Sequence, residues 1–224
     1  NDVVDNSETE LACDVIRIGP DDASKLLVIT SGVHGVELMC GSGCQLGMLH
    51  EDHFASLPAD TAVVMIHAIN PWGAANLRRN NEDNVDLCRN FIDFNDSLPH
   101  NTRYELIHEA LCSPDRTQTD LTLSKFRESN GSAAYISAIM SGQFEYYDGM
   151  SFGGHEPAWS HKILLQILQQ EAELAKNICL LDYHSGLGPY GYGSVVCMHN
   201  GESLGRARNW FGHWLMAPMD NVEE

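Results

Sequence analysis

The sequence predicts an α/β fold, in which a largely parallel sheet is covered by helices on both faces. Two observations support this prediction. Short apolar segments that end in turns recur along the 224 residues, and segments with helical periodicity lie between them. Strands that alternate with helices usually pair in parallel, because each helix returns the chain to the same end of the sheet. The length is sufficient for one sizeable core, so a single domain over residues 1–224 is expected.

Several apolar segments have the length and the flanking turns of buried strands. The first is ended by Gly19-Pro20 and the third by Asn70-Pro71, which are turn-forming pairs. The predicted strands occupy residues 11–19, 25–30, 61–69, 177–182 and 193–198.

Helical spacing is clearest over residues 157–176, where Trp159, Ile163 and Ile167 recur every four residues. A second helix, over residues 37–50, is rich in glycine, which indicates close packing against the sheet. Further helices are predicted at residues 103–112 and 130–140, a polar loop at 74–100, and an ordered loop rich in glycine and aromatic residues at 142–154.

The composition is that of an ordinary globular protein, with 43% hydrophobic residues, but the charge is strongly negative. The 13 Lys and Arg residues against 31 Asp and Glu residues give a net charge of −18. Such a surface repels nucleic acids and anionic membranes, so we expect neither as a partner. No apolar segment approaches the roughly 20 residues that a membrane-spanning helix needs.

The cysteines indicate a reducing compartment. Their number is odd, they form no CxxC pair, and several lie within apolar segments, as reduced core cysteines do. No signal peptide is recognisable, but the chain begins at Asn1 without a Met, so the natural N-terminus is expected to lie upstream. The expectation of a cytoplasmic location therefore rests on the cysteine pattern. The seven residues are Cys13, Cys40, Cys44, Cys88, Cys112, Cys179 and Cys197.

Metal-binding residue types follow two of the predicted strands. His34 and Glu37 form an HxxE pair directly after the strand at 25–30, and Asp182 and His184 follow the strand at 177–182. The carboxyl ends of parallel strands meet at one edge of a sheet, where α/β proteins place their chemistry. Two histidines, a carboxylate and a water are a catalytic zinc pattern, whereas structural zinc is closed by four protein ligands. The alternative is a solvated turn and a buried histidine held by Asp182.

The order of four motifs resembles the zinc carboxypeptidase superfamily over residues 25–193, roughly three quarters of the chain. These motifs are HxxE, Asn70-Pro71-x-Gly73, the arginine-bearing segment that ends at 86–91, and DxH. The following segment, 186–191, resembles an uncharacterised bacterial branch near the succinylglutamate desuccinylase and aspartoacylase group. The resemblance implies a three-layer α/β/α domain with a mixed, mostly parallel sheet of about eight strands.

The resemblance also implies a metal site. It assigns one zinc ion per chain to His34, Glu37 and His184, although another divalent transition metal would suit the same ligands. Asp86 matches the acid that supports the first zinc histidine and fixes its ring orientation.

Three arginines match substrate-contacting positions of the family. Arg89 corresponds to the arginine that grips the terminal carboxylate of the substrate, for which a planar guanidinium is well suited. Either Arg78 or Arg79 corresponds to the arginine that stabilises the oxyanion. We favour Arg79 for that catalytic role and expect Arg78 to bind substrate. The alternative is that all three are surface arginines paired with nearby acids.

The implied activity is hydrolysis of an amide bond next to a carboxylate, on a small peptide or an acylated amino acid. One alternative is deacylation of N-acyl amino acids, as in the aspartoacylase and succinylglutamate desuccinylase group, with the same metal site. Another is a zinc-binding module without catalysis.

Two departures from the family pattern favour that last alternative. Relatives commonly have Asn where this chain has Cys88, and a thiol is a poor donor to a carboxylate. The family's general base is a glutamate on a late strand, and Glu202, Glu223 and Glu224 do not suit that position. We therefore expect that the C-terminal part of the domain, with this glutamate, is absent from these 224 residues.

Overall fold

The computed structural model describes residues 3–4, 10–186 and 188–218, which form two compact units. The first unit contains the described residues up to His184, and the second contains those from Ser185. The strands of the first unit are β1 (Val3–Val4), β2 (Glu10–Leu11), β3 (Asp14–Ile18), β4 (Lys25–Ser31), β5 (Thr61–His67) and β6 (Asn177–Tyr183). Its helices are α1 (Leu38–His50), α2 (Pro71–Ala75), α3 (Leu87–Asn90), α4 (Thr102–Glu105), α5 (His108–Cys112), α6 (Arg116–Met140) and α7 (Trp159–Glu171).

The main sheet is mixed and mostly parallel, as the sequence predicts. Its strand order is β3-β5-β4-β6; β4 is parallel to both of its neighbours, and β3 is antiparallel to β5. The expected number of about eight strands is wrong for the described residues, where this sheet has four. Part of the reason is that the predicted strand at 193–198 shortens to two residues and pairs outside this sheet.

Helices pack on both faces of the sheet, because alternate strand residues point to opposite sides. On one face, Val28 and Val64 belong to a core cluster with Leu164 of α7. On the other face, Ile29 and Met65 form a cluster that includes the end of α1. The first unit therefore has α1, the sheet and α7 as three layers.

Small and polar residues hold α1 tightly against the sheet. A Cβ atom on Gly41 would lie 2.5 Å from the Cβ of Ser31, so a larger residue has no room there. The buried Gln45 accepts a hydrogen bond from Ser31 and donates to the carbonyls of Ile29 and Ile66 at 3.1 and 3.2 Å. The close packing predicted from the glycines of this helix is confirmed at Gly41, whereas an added Cβ at Gly43 or Gly47 would meet no atom within 4 Å.

The remaining predicted helices differ in extent. The helix predicted at 103–112 is interrupted and becomes α4 and α5, and α7 ends at Glu171. The helix predicted at 130–140 is the second half of α6, which bends at Gly131, whose φ is 86°. The predicted polar loop at 74–100 contains two short helical segments, part of α2 and all of α3.

The loop at 142–154 is ordered by its own hydrogen bonds. The buried Gln143 amide donates to the carbonyl of Tyr146 at 2.7 Å and accepts from the backbone of Glu145 and Tyr146. The Tyr104 hydroxyl accepts from the Met150 backbone at 2.7 Å. At the end of the loop, the Phe152 carbonyl accepts from the backbone N–H of Asp86 at 2.7 Å.

The second unit contains β7 (Val195–Val196), α8 (Gly201–Phe211) and β8 (Leu215–Met216). The two strands are parallel, and the Cys197 backbone donates to the Met216 carbonyl at 2.9 Å. Across the described ranges, none of the helices combines the length and the apolar character that crossing a membrane requires.

Candidate metal centre

A tight turn after β4 brings His34 and Glu37 to the same place. His34 has extended backbone angles and leads into a 3₁₀ turn, Gly35–Glu37. Gly35 lies against α2 so closely that an added Cβ would be 2.0 Å from the carbonyl carbon of Gly73. The backbone N–H groups of Gly35 and Val36 donate to the carbonyls of residues 79 and 78. The position of the turn is therefore fixed from two sides.

His184 joins this pair because β6 runs parallel to β4. Ser31 pairs with Tyr183 in the ladder, so both strands end at the same edge of the sheet. The Nδ1 atoms of His34 and His184 lie 3.2 Å apart. The Glu37 carboxylate approaches both of them, with Oε1 at 2.9 Å from His34 Nδ1 and Oε2 at 3.2 Å from His184 Nδ1.

These spacings fit the demands of a tetrahedral ion. Zinc binds nitrogen and oxygen ligands at 2.0–2.2 Å, so two ligand atoms of one ion are about 3.3 Å apart. The three donor pairs of His34, Glu37 and His184 lie between 2.9 and 3.2 Å. The three residues could therefore hold one metal ion with little movement, and a fourth position would remain for water or substrate.

A carboxylate lies at the opposite ring nitrogen of each histidine. His34 Nε2 is 3.3 Å from Oδ1 of Asp86, which is fully buried. His184 Nε2 is 2.7 Å from Asp182 Oδ2, and the other oxygen of Asp182 accepts from Thr30 at 2.6 Å. Such acids fix the tautomer that leaves Nδ1 available as a ligand. The resemblance predicts this supporting role for Asp86 alone, although the DxH spacing is a signal for Asp182 as well.

The three arginines occupy different environments. Arg79 donates to Asp86 at 3.2 Å and to Glu37 at 3.4 Å. The side chain of Arg78 is exposed, and that of Arg89 is half-buried beside Gly142. Within the described ranges, neither Arg78 nor Arg89 forms an ion pair, and Arg89 Nε is buried without a hydrogen-bond partner.

Cys88 contacts the centre, a contact that no sequence pattern predicts. Its Sγ lies 4.0 Å from His184 Nε2, and donor atoms of His34, Cys88 and His184 all lie within 4.8 Å of one another. Burial opposes ionisation of the thiol, but hydrogen bonds with His184 and His34 prevail and lower its pKa. The thiol is thus a further potential ligand atom at this centre.

The centre is an anionic environment that favours a bound cation. Burial opposes protonation of His34, but hydrogen bonds with Asp86, Cys88 and Glu37 raise its pKa to about 10. The hydrogen bond to Asp182 is the largest of the effects that raise the pKa of His184 to about 12. For Asp86, burial opposes ionisation, yet His34 and Arg79 lower its pKa to about 2.

The structure therefore brings together most of the residues that the sequence analysis singled out. His34, Glu37, His184, Asp86 and Arg79 are mutually connected. Of the three glutamates that follow His184, Glu202 lies in α8 of the second unit, and Glu223 and Glu224 lie outside the described residues. Leu187, in the segment at 186–191, also lies outside them.

Comparison with known proteins gives one match. The model of a family described as "Protein of unknown function (DUF2817)" matches residues 3–224. No curated protein and no solved structure matches the chain. Because the family match extends over nearly all of the sequence, this chain belongs to the DUF2817 family.

Proposed function

We propose that this protein is a zinc-dependent hydrolase that cleaves an amide bond next to a carboxylate. The observation that carries the proposal is the convergence of His34 Nδ1, His184 Nδ1 and the Glu37 carboxylate at separations of 2.9–3.2 Å. Two imidazoles and a carboxylate with an open position are a catalytic zinc set. The motif order that resembles zinc carboxypeptidases supports the same function.

Zinc in such a set supplies a water whose pKa is lowered toward about 7, and it polarises the scissile carbonyl. Asp86 and Asp182 hold the two histidines in the orientation that presents Nδ1. Arg79 limits the negative charge of the centre, because it donates to Glu37 and Asp86 at once. Its remaining hydrogen-bonding capacity suits it to the oxyanion that forms when water attacks an amide, with Arg78 as a neighbouring substrate contact.

Arg89 is our candidate for recognition of the substrate carboxylate. It is half-buried, and its guanidinium makes no hydrogen bond to protein within the described ranges. A guanidinium without protein partners can donate in parallel to both oxygens of a carboxylate, so an anionic group of the substrate is a suitable partner for it. On a chain of net charge −18, such a cation also gives an anionic substrate one defined place to bind. We therefore propose a small peptide or an acylated amino acid as substrate.

The carboxylates that surround the centre favour one alternative, a zinc-binding module without catalysis. Among the described residues, the acids bonded to the two histidines are Glu37, Asp86 and Asp182. Asp86 and Asp182 each position a histidine and Glu37 is the proposed metal ligand, so none of the three is available as a general base. N-acyl amino acid deacylation is the other alternative within hydrolase chemistry.

The deciding experiment is metal analysis followed by activity assays. The purified protein, His34→Ala and the control His67→Ala would be stripped with a chelator, exposed to zinc and analysed for bound metal. His67 is a suitable control because it lies in β5 and bonds Ser42 instead of the centre. We expect His34→Ala to bind one zinc fewer per chain than the wild type and the control.

The zinc-loaded wild type is then assayed with blocked dipeptides and with N-acyl amino acids. Cleavage of either class supports the hydrolase and identifies the substrate type. If the protein binds zinc but cleaves neither class of substrate, the result supports the binding module. Equal zinc content in the wild type and His34→Ala would contradict the proposed centre.

A further inference from the structure

A second cluster of metal-binding side chains lies outside the centre described above. His108 and Cys112 are the first and last residues of α5, and Asp148 lies in the loop at 142–154. Residues four apart on a helix project from the same face, so the imidazole and the thiol are neighbours. Cys112 Sγ is 3.7 Å from His108 Nδ1 and 3.7 Å from the Asp148 carbonyl oxygen. His108 Nε2 is 3.5 Å from Asp148 Oδ1.

We propose that His108, Cys112 and Asp148 form a second metal site, for zinc or a similar borderline divalent ion, which clamps the loop at 142–154 onto α5. With one donor atom taken from each residue, all three lie within 4.8 Å of one another. Ligand atoms of a tetrahedral zinc with a thiolate ligand are about 3.6 Å apart. Cys112 Sγ lies beside Nδ1 of His108 and the Asp148 carboxylate lies beside Nε2, and one ion can take only one of these ring nitrogens. The exposed Asp148 side chain therefore has to rotate toward Nδ1 to join the thiol at the ion.

The donor types select the ion. A thiolate and an imidazole suit zinc better than magnesium or calcium, which prefer oxygen ligands. The fourth position is open to water or to the Asp148 carbonyl, which already lies beside the thiol. Because Cys112 and Asp148 are exposed, an ion can reach the site from solvent without opening the core.

The surroundings hold the His108 ring and the backbone of the loop in place. The His108 ring stacks on Tyr146 at a centroid distance of 3.9 Å, and only 12% of its side chain is exposed. Gly149 fits closely between Tyr104 and His108, since an added Cβ would be 2.4 Å from the Tyr104 hydroxyl and 3.1 Å from His108 Nδ1. Asn84 donates to the carbonyls of Tyr147 and Gly149, on either side of Asp148. The backbone that presents the carboxylate is therefore well fixed.

An ion at this site would connect to the first centre through the loop. The tip of the loop carries Asp148, and its far end accepts a hydrogen bond from the Asp86 backbone at Phe152. The near end, at Gly142, packs against the Arg89 side chain. Binding of the ion would therefore restrain the segment that borders both Asp86 and Arg89.

The first test uses the full chain with His34→Ala, which removes the first centre, and cobalt(II) as a coloured substitute for zinc. We expect one equivalent to bind and to show a thiolate-to-cobalt absorption band. In the His34→Ala chain, the further substitution Cys112→Ser should abolish the band and weaken zinc binding more than about 100-fold. Loss of a group that only supports a ligand already lowers metal affinity by about 10–100-fold. The matched control is Cys44→Ser, an exposed helical cysteine in α1.

Cys88→Ser separates this site from the first centre. A band that survives Cys88→Ser and disappears with Cys112→Ser supports the proposal. A band that depends on Cys88, or no binding to the His34→Ala chain, overturns it. In the otherwise unchanged protein, zinc should slow amide hydrogen exchange over residues 142–154, and Cys112→Ser should remove this protection. Unchanged exchange on zinc addition would overturn the clamp, whether or not the protein proves to be a hydrolase.

Discussion

A single carboxylate lies behind each of the two histidines of the proposed metal centre, and Asp86 is the more buried of the two. It contacts His34 at 3.3 Å and Arg79 at 3.2 Å, and it accepts from the Cys88 backbone as the N-cap of α3. A carboxylate in this position makes the histidine a stronger ligand, and it orients the ring at the same time.

We predict that Asp86→Asn lowers zinc affinity by about 10–100-fold while the fold is retained. Asn matches Asp in size and is an equally good N-cap, so the loss reflects the missing charge. Competition with a chelator would measure the affinity. Asp115→Asn is the matched control, because Asp115 is also an N-cap, at the start of α6. Equal affinities of Asp86→Asn and the wild type would show that the charge of Asp86 does not support His34.

The environment of Arg89 leads to a prediction about substrate choice. Charge-assisted hydrogen bonds contribute about 1.5–3 kcal/mol each, so loss of the guanidinium should raise KM by about 10–100-fold for a substrate with a free carboxylate. The same substrate as its amide should be affected much less. Arg89→Gln would be compared with Arg127→Gln, an arginine of α6 that bonds Ser132. An equal loss for acid and amide substrates would remove Arg89 from carboxylate recognition.

The position of the turn after β4 depends on the contact of this turn with helix α2. Gly35 permits this contact, because any Cβ there would meet the backbone of Gly73 and Ala74 at 2.0–2.2 Å. Backbone cannot move aside as a flexible side chain can, so the turn itself would have to shift. Both His34 and Glu37 are carried by this turn, and their spacing to His184 would change with it.

We predict that Gly35→Ala destabilises the protein and reduces zinc binding together, because the turn must move away from α2. The control is Gly43→Ala in α1, where an added Cβ meets no atom within 4 Å. That control should be neutral or stabilising by up to about 1 kcal/mol, since alanine favours helix more than glycine does. Urea unfolding and zinc titration would test both variants. Normal zinc affinity in Gly35→Ala would mean that the turn is not what sets the ligand spacing.

The elements with strong periodicity or long apolar segments were the predictable ones. Strands β4 to β6 lie where their patterns indicate, within two residues, and α7 forms as predicted but ends at Glu171, short of residue 176. The first half of α6 was missed because its sequence is largely polar and much of it lies on the surface. Helix α3 was missed because four residues carry no period, and only the cap at Asp86 marks its start. The strand number rested on resemblance instead of pattern, and the described residues do not bear it out.

Within the centre, too, some contacts follow from the sequence pattern and others do not. His34, Glu37 and His184 could be expected to meet, because parallel strands end at one edge of the sheet and the sequence places these residues just after two strands. The contact of Cys88 with His184 depends on the direction of one side chain on the short helix α3. No sequence spacing specifies that direction. The pairing of Arg79, and not Arg78, with Glu37 and Asp86 depends in the same way on local backbone geometry.

Folding buries two weak acids, Cys13 and Tyr104, and burial raises the pKa of each. Burial, with a smaller effect of the Asp14 charge, raises the pKa of Cys13 from 9.0 to about 12. Burial also raises the pKa of Tyr104 from 10.0 to about 12, although a hydrogen bond from the Met150 backbone opposes the shift. Cys13 packs against the core between the sheet and α7, and Tyr104 is fully buried beside the loop at 142–154.

These two shifts predict the direction of a pH effect on stability. When the folded pKa of an acid exceeds its unfolded value, the folded state binds more protons, and stability falls as the pH rises. The contribution of Cys13 is complete below its unfolded pKa of 9.0 and is lost as the pH approaches about 12. The contribution of Tyr104 is lost between 10.0 and about 12. We therefore expect the free energy of unfolding, measured in urea, to fall steeply over this alkaline range.

Cys13→Ala isolates one part of this effect. The variant loses packing at every pH, so the informative quantity is the slope of the unfolding free energy against pH, not its absolute value. Between about pH 9 and pH 12 that slope should be shallower in Cys13→Ala than in the wild type. Cys197→Ala, outside the first unit, should keep the slope of the wild type. If Cys13→Ala also keeps it, the thiol of Cys13 does not couple its proton to folding, and the alkaline loss of stability has to be assigned to Tyr104 or to other groups.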